Sequence, residues 1–359
     1  MFLLPLSSLL LSFVLLFALR RLAVSIHLVD IPNHCKKHEG EVPVIGGIAI
    51  YFAVFFSSLL FTDVDHTQWV YFLCGAILVV VGVIDDKFDI SVRVRMLIQV
   101  ITSLVIIFSV DISLVCLGNI VGEGHVDIDG WVSYFVTVIA IVGAINAFNM
   151  VDGIDGLLGG LASVTFTALG LMFFLQGNAT LAMICLMYIA ALVPYVLLNL
   201  GIPFGQRYKI FMGDAGSMLL GFTVVWLLIL ASQPSHEDVI NPVTALWFIA
   251  LPLMDMATIM VRRVRKGQSP FKPDREHLHH ICQRVGLSSR MTLVFICVLA
   301  LLFAGVGVLG ELYAVSETIM FIAFLVLFTV YFSAISHIFR ITAKVRAQLG
   351  KSPLCEEAV

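Results

Sequence analysis

The chain has 359 residues, of which 60% are hydrophobic and 13% charged, with a formal net charge of −3. A water-soluble protein of this size cannot bury so much apolar side-chain surface, so the composition predicts a protein that lies in a lipid bilayer. The slight negative net charge argues against a nucleic-acid-binding surface. The seven cysteines are scattered, odd in number and without CxxC spacing, so we interpret them as free thiols and not as a disulfide framework or zinc site.

Apolar segments long enough to cross a membrane follow one another along the chain, eleven in all. They lie at residues 2–19, 44–62, 69–84, 97–118, 131–148, 157–176, 179–199, 215–232, 243–261, 291–310 and 316–337. Since about 20 helical residues span the ~30 Å apolar core of a bilayer, they predict an all-α, polytopic integral membrane protein with about 11 transmembrane helices. The first segment has basic residues only after it, the reverse of a signal peptide, so we expect it to be retained as a helix.

The basic residues predict the orientation of these helices. All 21 lysines and arginines fall in alternate loops and the C-terminal tail, on one predicted side of the membrane, whereas the opposite loops carry only acids. By the positive-inside rule, this distribution places the N-terminus outside and the C-terminus in the cytoplasm.

The loop after the third segment opens with a dense group of acids in the stretch VIDDKFDIS, residues 83–91. Asp85, Asp86 and Asp89 fall within five residues. Two unit charges about 4 Å apart repel by roughly 4 kcal/mol at an effective dielectric constant near 20, so a positive group should compensate them. The neighbouring Lys87 alone is a weak candidate for that group.

Two further loops on the same predicted side carry acids. NMVDGIDGL, residues 149–157, holds Asp152 and Asp155, and FMGDAGS, residues 211–217, holds Asp214. Six carboxylates from three loops therefore gather at one face, where oxygen-only ligands suit a hard divalent cation, above all Mg²⁺ if a phosphate also binds.

Each of these motifs also has a structural interpretation. Asp155 and Asp214 could be helix N-caps, the Asp-Gly steps could form turns, and Asp89 could lie on a solvated helix face. The spacing excludes an EF-hand. The small residues around Asp214 would let backbone amides approach a phosphate closely, although small residues also serve helix packing in membranes.

The longest predicted cytoplasmic loop contains FKPDREHLHH, residues 271–280. His277, His279 and His280 lack the spacing and the cysteine pair of a zinc site. With Arg275 they favour a clamp on phosphates or on a nucleoside such as uridine. The alternative is a basic juxtamembrane segment that rests against anionic lipid.

One acid, Asp255, falls inside the ninth apolar segment. A carboxylate at membrane depth is a candidate functional residue, because a charge there is costly to bury. Pairing with a neighbouring helix is the alternative interpretation.

The motifs DDKFD, NMVDGIDGL, FMGDAGS and HLHH occur in this order in the polyprenyl-phosphate N-acetylhexosamine-1-phosphate transferases, and the chain resembles that family over essentially its whole length. The HxHH form, with VDIPNHCKKHEG and VPVIGG near the start, is most similar to the bacterial branch that uses UDP-GlcNAc and undecaprenyl phosphate. The muramoyl-pentapeptide branch has a different histidine motif. Cys35 stands where similar enzymes usually carry arginine, which weakens a phosphate-binding role for that stretch.

The resemblance implies an enzyme of the bacterial inner membrane whose active site faces the cytoplasm. Undecaprenyl phosphate would attack the β-phosphorus of UDP-GlcNAc, giving undecaprenyl-diphosphate-GlcNAc and UMP. This would be the first membrane step of a cell-surface polysaccharide, of the O-antigen or enterobacterial common antigen type. Mg²⁺ is the implied cofactor, with Mn²⁺ as the alternative cation. The same chemistry on another UDP-N-acetylhexosamine is the nearest alternative.

The resemblance also implies roles for individual residues. The implied catalytic residues are Asp85, Asp86, Asp89 and Asp152, with Asp85 or Asp86 deprotonating or orienting the lipid phosphate. The implied metal ligands are Asp155 and Asp214. The implied substrate-binding residues are Asn149, Lys36, His38, Arg275, His277, His279 and His280. Direct attack is favoured over a double displacement through an aspartyl intermediate.

The implied organisation is a single transmembrane catalytic domain, residues 1–340, with a periplasmic N-terminus, and a cytoplasmic tail, residues 341–359. Its cytoplasmic loops are predicted at residues 20–43, 85–96, 149–156, 200–214 and 262–290. The expected partners are UDP-GlcNAc, undecaprenyl phosphate and the bilayer, without nucleic acid, and a homodimer stays open.

A cation-coupled transporter or channel is the rival from another functional class. Transport would place ionisable groups near the middle of the bilayer, whereas the six carboxylates lie at predicted helix ends. A structural scaffold would need no such cluster.

Overall fold

The computed structural model describes residues 3–31, 40–236, 239–270 and 277–337. These residues form thirteen α-helices, one 3₁₀ turn at Gln206–Tyr208 and one antiparallel pair of short strands. The strands are β1 (Val29–Asp30) and β2 (Val42–Pro43). The helices are α1 (Leu3–Ser25), α2 (Gly46–Phe61), α3 (His66–Phe88), α4 (Val92–Val110), α5 (Gly130–Val151), α6 (Leu157–Leu175), α7 (Ala179–Asn199), α8 (Gly213–Ser232), α9 (Pro242–Phe248), α10 (Ala250–Arg265), α11 (Leu278–Val285), α12 (Ser289–Leu312) and α13 (Glu317–Ser336). The predicted all-helical architecture is confirmed, apart from the strand pair.

Every predicted apolar segment is largely helical, but the described residues do not establish eleven spans. Nine helices are long and apolar enough to cross a membrane, or up to ten if α9 and α10 count as one. That pair is bent by 80° at Ile249, where the sequence predicts one continuous span. The helix at the remaining predicted span, α2, has 16 residues and is therefore only about 24 Å long.

Helix α8 forms the centre of the bundle. Its residues from Ala215 to Ser232 are all buried, and α3 and α5 pack along it. Glycines bring two neighbouring helices unusually close to its N-terminal turn. A Cβ added at Gly47 of α2 would lie 2.2 Å from Gly216 N, and one added at Gly82 of α3 would lie 2.3 Å from Ala215 Cα. Small residues allow such approach in membrane bundles, and here they bring α2 and α3 to the start of α8.

Backbone hydrogen bonds tie the VPVIGG stretch to the segment that precedes α8. Phe211 N donates to Pro43 O (2.9 Å), Gly46 N to Phe211 O (3.0 Å) and Gly47 N to Met212 O (3.1 Å). The end of β2 therefore runs beside the approach to Asp214. This explains why two motifs far apart in sequence lie at the same end of the bundle.

Candidate functional site

The N-terminus of α8 is capped by a carboxylate from α3. Asp86 Oδ1 accepts a hydrogen bond from Asp214 N (2.9 Å), and its Oδ2 accepts one from Ala215 N (3.4 Å). The first N–H groups of a helix lack partners within the helix, and a negative charge there is stabilised by the helix dipole. Gly213 has φ +75°, and a Cβ at that position would lie 2.4 Å from Asp86 Oδ2. Asp86 therefore fixes the backbone of Asp214 and leaves the Asp214 side chain to contact other groups.

Arg95 of α4 links two of the predicted site carboxylates. Its Nη1 lies 2.5 Å from Asp85 Oδ2 and 3.3 Å from Asp214 Oδ2. The Asp85 side chain is 2% exposed and also accepts from Ile90 N at 2.9 Å. A buried carboxylate needs such partners, because an unpaired charge is costly to bury. Arg95 is a compensating cation that the acidic cluster requires, and sequence reasoning counted it only as a loop charge.

Asn149, in the last turn of α5, is brought to Asp214 as well. Its Nδ2 donates to Asp214 Oδ1 and, at 2.8 Å, to Ser217 Oγ. Asp214 thus receives Asn149 from α5 and Arg95 from α4, while Asp86 of α3 holds its backbone. The three predicted acidic motifs therefore meet at Asp214, through its backbone and its side chain.

The loop between α5 and α6 is held by contacts that sequence reasoning missed. Lys209 Nζ lies 2.7 Å from Asp155 Oδ2. Asn199, at the end of α7, is buried; its Oδ1 accepts from Gly156 N (2.5 Å) and its Nδ2 donates to Ile210 O (2.8 Å). Asn199 and Lys209 therefore connect this loop to the segment that leads into α8. Lys209, five residues before Asp214, is detectable in the sequence only as one of several loop cations.

Asp152 directly follows α5, and its side chain is exposed to solvent. Loss of hydration within the surrounding protein, followed by the negative charges of Asp214 and Asp155, raises the pKa of the Asp152 carboxyl to about 7. The three carboxylates are therefore close enough to interact, as their motifs predict. Asp152 can change protonation state near neutral pH.

Four predicted site residues either lie apart from the Asp214 network or fall outside the described residues. Asp89 ends α3 in the left-handed conformation (φ 50°). Its side chain is exposed and does not belong to the hydrogen-bonded network around Asp214. Its catalytic role stays a prediction. Lys36, His38 and Arg275 lie outside the described residues, so their roles also stay predictions.

His277 precedes α11 and is bound to the buried Asp255 of α10. Its Nδ1 lies 2.7 Å from Asp255 Oδ2, and Asp255 Oδ1 accepts from Leu278 N (3.1 Å) and Tyr331 OH (2.7 Å). Asp255 therefore pairs with neighbouring elements, and one of its partners is a predicted substrate-binding histidine. The pairing that the sequence offers as an alternative is confirmed, and a functional role for Asp255 stays a prediction.

His279 joins the histidine segment to the acidic loop. A Cβ added at Gly153 would lie 2.1 Å from His279 Nε2, so the imidazole rests directly on the backbone beside Asp152. Its ring stacks on that of His277, with centroids 5.7 Å apart, and lies 4.2 Å from that of His280. Burial lowers the pKa of His279 to about 3, with smaller contributions from His280 and His277. His279 is therefore a neutral, buried contact residue at physiological pH.

Gly153→Ala should separate the histidine segment from the acidic loop, because the added methyl group overlaps the His279 ring. We expect affinity for UMP to fall about tenfold, the cost of a displaced binding group, while the KM for lipid phosphate changes little. Titration calorimetry with UMP measures the effect. Gly305→Ala is the matched control, since a Cβ there meets nothing within 4 Å. Equal UMP affinity in both variants would contradict the predicted role of His279 in nucleotide binding.

The oxygen donors of the site are chemically compatible with a divalent cation, and the predicted Mg²⁺ stays a prediction. No group of three or more His, Cys, Asp or Glu side chains within the described ranges is arranged to hold a metal unaided. Mg²⁺ rarely needs such a cage, because it usually takes one or two carboxylates together with substrate phosphates and water. Asp214, Asp155 and Asp152 supply oxygen donors and a local excess of negative charge that a cation would relieve.

Comparison with known proteins relates this arrangement to one family. The chain matches Glycosyl transferase family 4 over residues 68–232, which contain the three acidic motifs but not the histidine segment. It is 46% identical over 320 residues to the undecaprenyl-phosphate alpha-N-acetylglucosaminyl 1-phosphate transferase of Salmonella typhimurium, covering 89% of this chain and 86% of the relative. The proteins of the same name from Haemophilus influenzae and Escherichia coli K12 are 44% and 45% identical, covering 97% and 94% of each chain.

These matches cover nearly all of the chain, including the histidine segment that lies beyond the family match. They confirm the resemblance that the four motifs predict, and they indicate a bacterial membrane enzyme, consistent with the apolar helices. The chain belongs to Glycosyl transferase family 4, in the group of undecaprenyl-phosphate alpha-N-acetylglucosaminyl 1-phosphate transferases.

Proposed function

We propose that the protein transfers GlcNAc-1-phosphate from UDP-GlcNAc to undecaprenyl phosphate, releasing UMP. One observation carries the proposal: Asp214 joins the three acidic motifs through Asn149, Arg95 and Asp86. The relatives' names supply the substrates. Phosphoryl transfer asks a protein chiefly to position two phosphates and to balance their charge, and this network combines fixed carboxylates with cations.

The cations of the site are suited to hold the anionic substrates. Arg95 and Lys209 each pair with a site carboxylate, and each can contact a phosphate while remaining near its partner. Asp85 and Asp86 are occupied by Arg95 and by the α8 backbone, so their contribution is to orient groups around Asp214. Asp152 is a solvent-exposed carboxylate that interacts with Asp155 and Asp214, which suits it to receive a proton from the lipid phosphate before direct attack.

Asp155 and Asp214 are the proposed ligands of Mg²⁺, because they lie on different motifs and both interact with Asp152. When bound, the cation neutralises the diphosphate and makes UMP a better leaving group. The protein's own part is to keep these carboxylates in place: Lys209 holds Asp155, and Asn149 holds Asp214.

The histidine segment is proposed to hold the sugar nucleotide. His279 brings this segment against the acidic loop, and His277 stacks beside it. A uridine or a diphosphate bound there would lie next to the carboxylates of the transfer site. Arg275 belongs to the same motif and is proposed to contribute a charge, although it lies outside the described residues.

UMP release by the purified protein tests this function. With undecaprenyl phosphate present, we expect UMP from UDP-GlcNAc and much less from UDP-glucose or UDP-GalNAc. Release should require Mg²⁺ and stop without the lipid phosphate. If UDP-GalNAc were the better substrate, the same chemistry would apply to a different hexosamine. No UMP from any UDP-sugar would contradict the proposal and favour the transporter alternative.

We also propose that the site faces the cytoplasm of a bacterial inner membrane. Arg95 and Lys209, which belong to the basic side of the membrane predicted by the sequence, both pair with site carboxylates and so support this orientation. A cysteine introduced at the exposed Lys266 should react only after the membrane is opened, and one at the exposed Asp63 should react in intact cells. Reversed labelling at either position would contradict this orientation.

A further inference from the structure

The buried cluster around Asp255 has features that the proposed transfer reaction does not require. Asp255 is 1% exposed and lies in α10, a helix that belongs to the bent apolar pair. His277 before α11 and Tyr331 in α13 both converge on it. Tyr331 itself is buried. A carboxylate in such a place stays charged only if several donors surround it, and this one has three.

The donors around Asp255 determine the protonation of the histidine. Leu278 N–H is an obligatory donor and Tyr331 O–H donates to the same oxygen, Oδ1. The other oxygen, Oδ2, then faces His277 Nδ1 at 2.7 Å. An ionised carboxylate only accepts hydrogen bonds, so His277 carries a proton on Nδ1. Its second nitrogen, Nε2, lies on the opposite edge of the ring, directed away from Asp255.

Asp255 also fixes the start of α11. The first N–H groups of a helix lack partners within it, and Asp255 Oδ1 accepts from the first of them, that of Leu278. The same helix carries His279, which touches Gly153 of the acidic loop. Asp255 thus sets the ring orientation of His277 and the position of the helix that brings the histidines to the site.

We propose that Asp255 is a positioning residue for the sugar-nucleotide site: it holds His277 through Nδ1–H and fixes the start of α11, the helix that carries His279, and Tyr331 holds Asp255. This inference rests on the proposed function for the identity of the ligand. The proposed positioning of His277 requires the carboxylate of Asp255 and not merely a side chain of the same shape. In Asp255→Asn the amide nitrogen would face His277 and donate to Nδ1, which moves the ring proton to Nε2 and removes the charge that stabilises an imidazolium.

A double-mutant cycle on UMP affinity tests the inference. Asp255→Asn alone should weaken UMP binding about tenfold, the effect of losing one charge-assisted contact. In a His277→Ala background the same change should have less than about a twofold effect, because Asp255 acts through that ring. The KM for UDP-GlcNAc should rise as the affinity for UMP falls, while kcat changes less. Equal effects in both backgrounds would show a merely structural role and overturn the inference.

Tyr331→Phe provides a second variant that keeps the cluster's volume and removes one hydrogen bond to Asp255. It should weaken UMP binding about threefold and show the same dependence on His277. This variant decides the question if Asp255→Asn fails to fold. An unchanged UMP affinity in Tyr331→Phe would overturn the part assigned to Tyr331.

A spectroscopic measurement is independent of activity. In protein labelled with ¹⁵N-histidine, the signal that disappears in His277→Ala should report a protonated Nδ1. Asp255→Asn should shift that proton to Nε2. A ring already protonated at Nε2 alone in the unaltered protein would overturn the inference, whatever the protein's substrate. Conversely, the expected spectrum without any UMP binding would contradict the proposed function and leave the positioning of His277 intact.

Discussion

Asp214→Asn is expected to lower GlcNAc-1-phosphate transfer by about 100-fold or more and to raise the Mg²⁺ concentration that gives half-maximal activity. The side chain of Asp214 is the meeting point of Asn149 and Arg95, and its backbone is held by Asp86. Removing a preorganised charge at such a position typically costs that much in rate. The higher Mg²⁺ requirement follows because a carboxamide is a weaker ligand for a hard cation.

Titration of UMP release with Mg²⁺ measures both effects. Asp63→Asn makes the same chemical change at an exposed position in the loop between α2 and α3, away from the Asp214 network, so it should behave as the unaltered protein. Asp86→Asn keeps an oxygen that can accept from Asp214 N–H, so the Mg²⁺ requirement should change little. Turnover should still fall, because the substitution removes the negative charge of Asp86 from the site. If Asp86→Asn shifted the metal dependence and Asp214→Asn did not, the assigned roles would be inverted.

Arg95→Gln should lower both stability and activity. It removes the cation from the buried Asp85 carboxylate, and breaking one side of a buried ion pair costs 3–5 kcal/mol in the extreme case. Because Arg95 is itself partly exposed, we expect about 2 kcal/mol. Transfer should also fall, since Arg95 contacts Asp214 as well.

Thermal unfolding in detergent, followed with the same samples as the transfer assay, checks this expectation. Arg95→Gln/Asp85→Asn removes both charges and should regain most of the lost stability but not the activity. Arg93→Gln is the matched control, an exposed arginine two residues away. A double variant as unstable as Arg95→Gln alone would show that packing, and not the Asp85 charge, causes the loss.

Much of the helical architecture is predictable from hydropathy, because membrane-spanning helices carry long apolar runs. The failures are local. The segment predicted at 97–118 continues as a helix only to Val110, since Asp111 adopts the left-handed conformation. Beyond it, Val115 N and Cys116 N donate to Gln233 Oε1. A side chain more than a hundred residues away satisfies this backbone, and no local pattern indicates that.

The acidic motifs are detectable in the sequence because charge is rare in this chain. The residues that contact these acids are harder to detect in the sequence. Asp86 acts as a cap for a helix that begins more than a hundred residues later, which no spacing rule predicts. Arg95 is one of two arginines in the first turn of α4, and only the tertiary structure selects it over Arg93. Asn199 carries no charge, and its role follows only from its two backbone contacts.

The most direct test of the central proposal is to determine which bond of UDP-GlcNAc is broken. UDP-GlcNAc labelled with ³²P at the β-phosphate should pass its label to the lipid, with unlabelled UMP as the released nucleotide. That result means that the β-phosphorus is attacked, the chemistry for which the Asp214 network is suited. Release of labelled UDP with an unlabelled glycolipid would show attack at the sugar carbon instead and would contradict this account of the site.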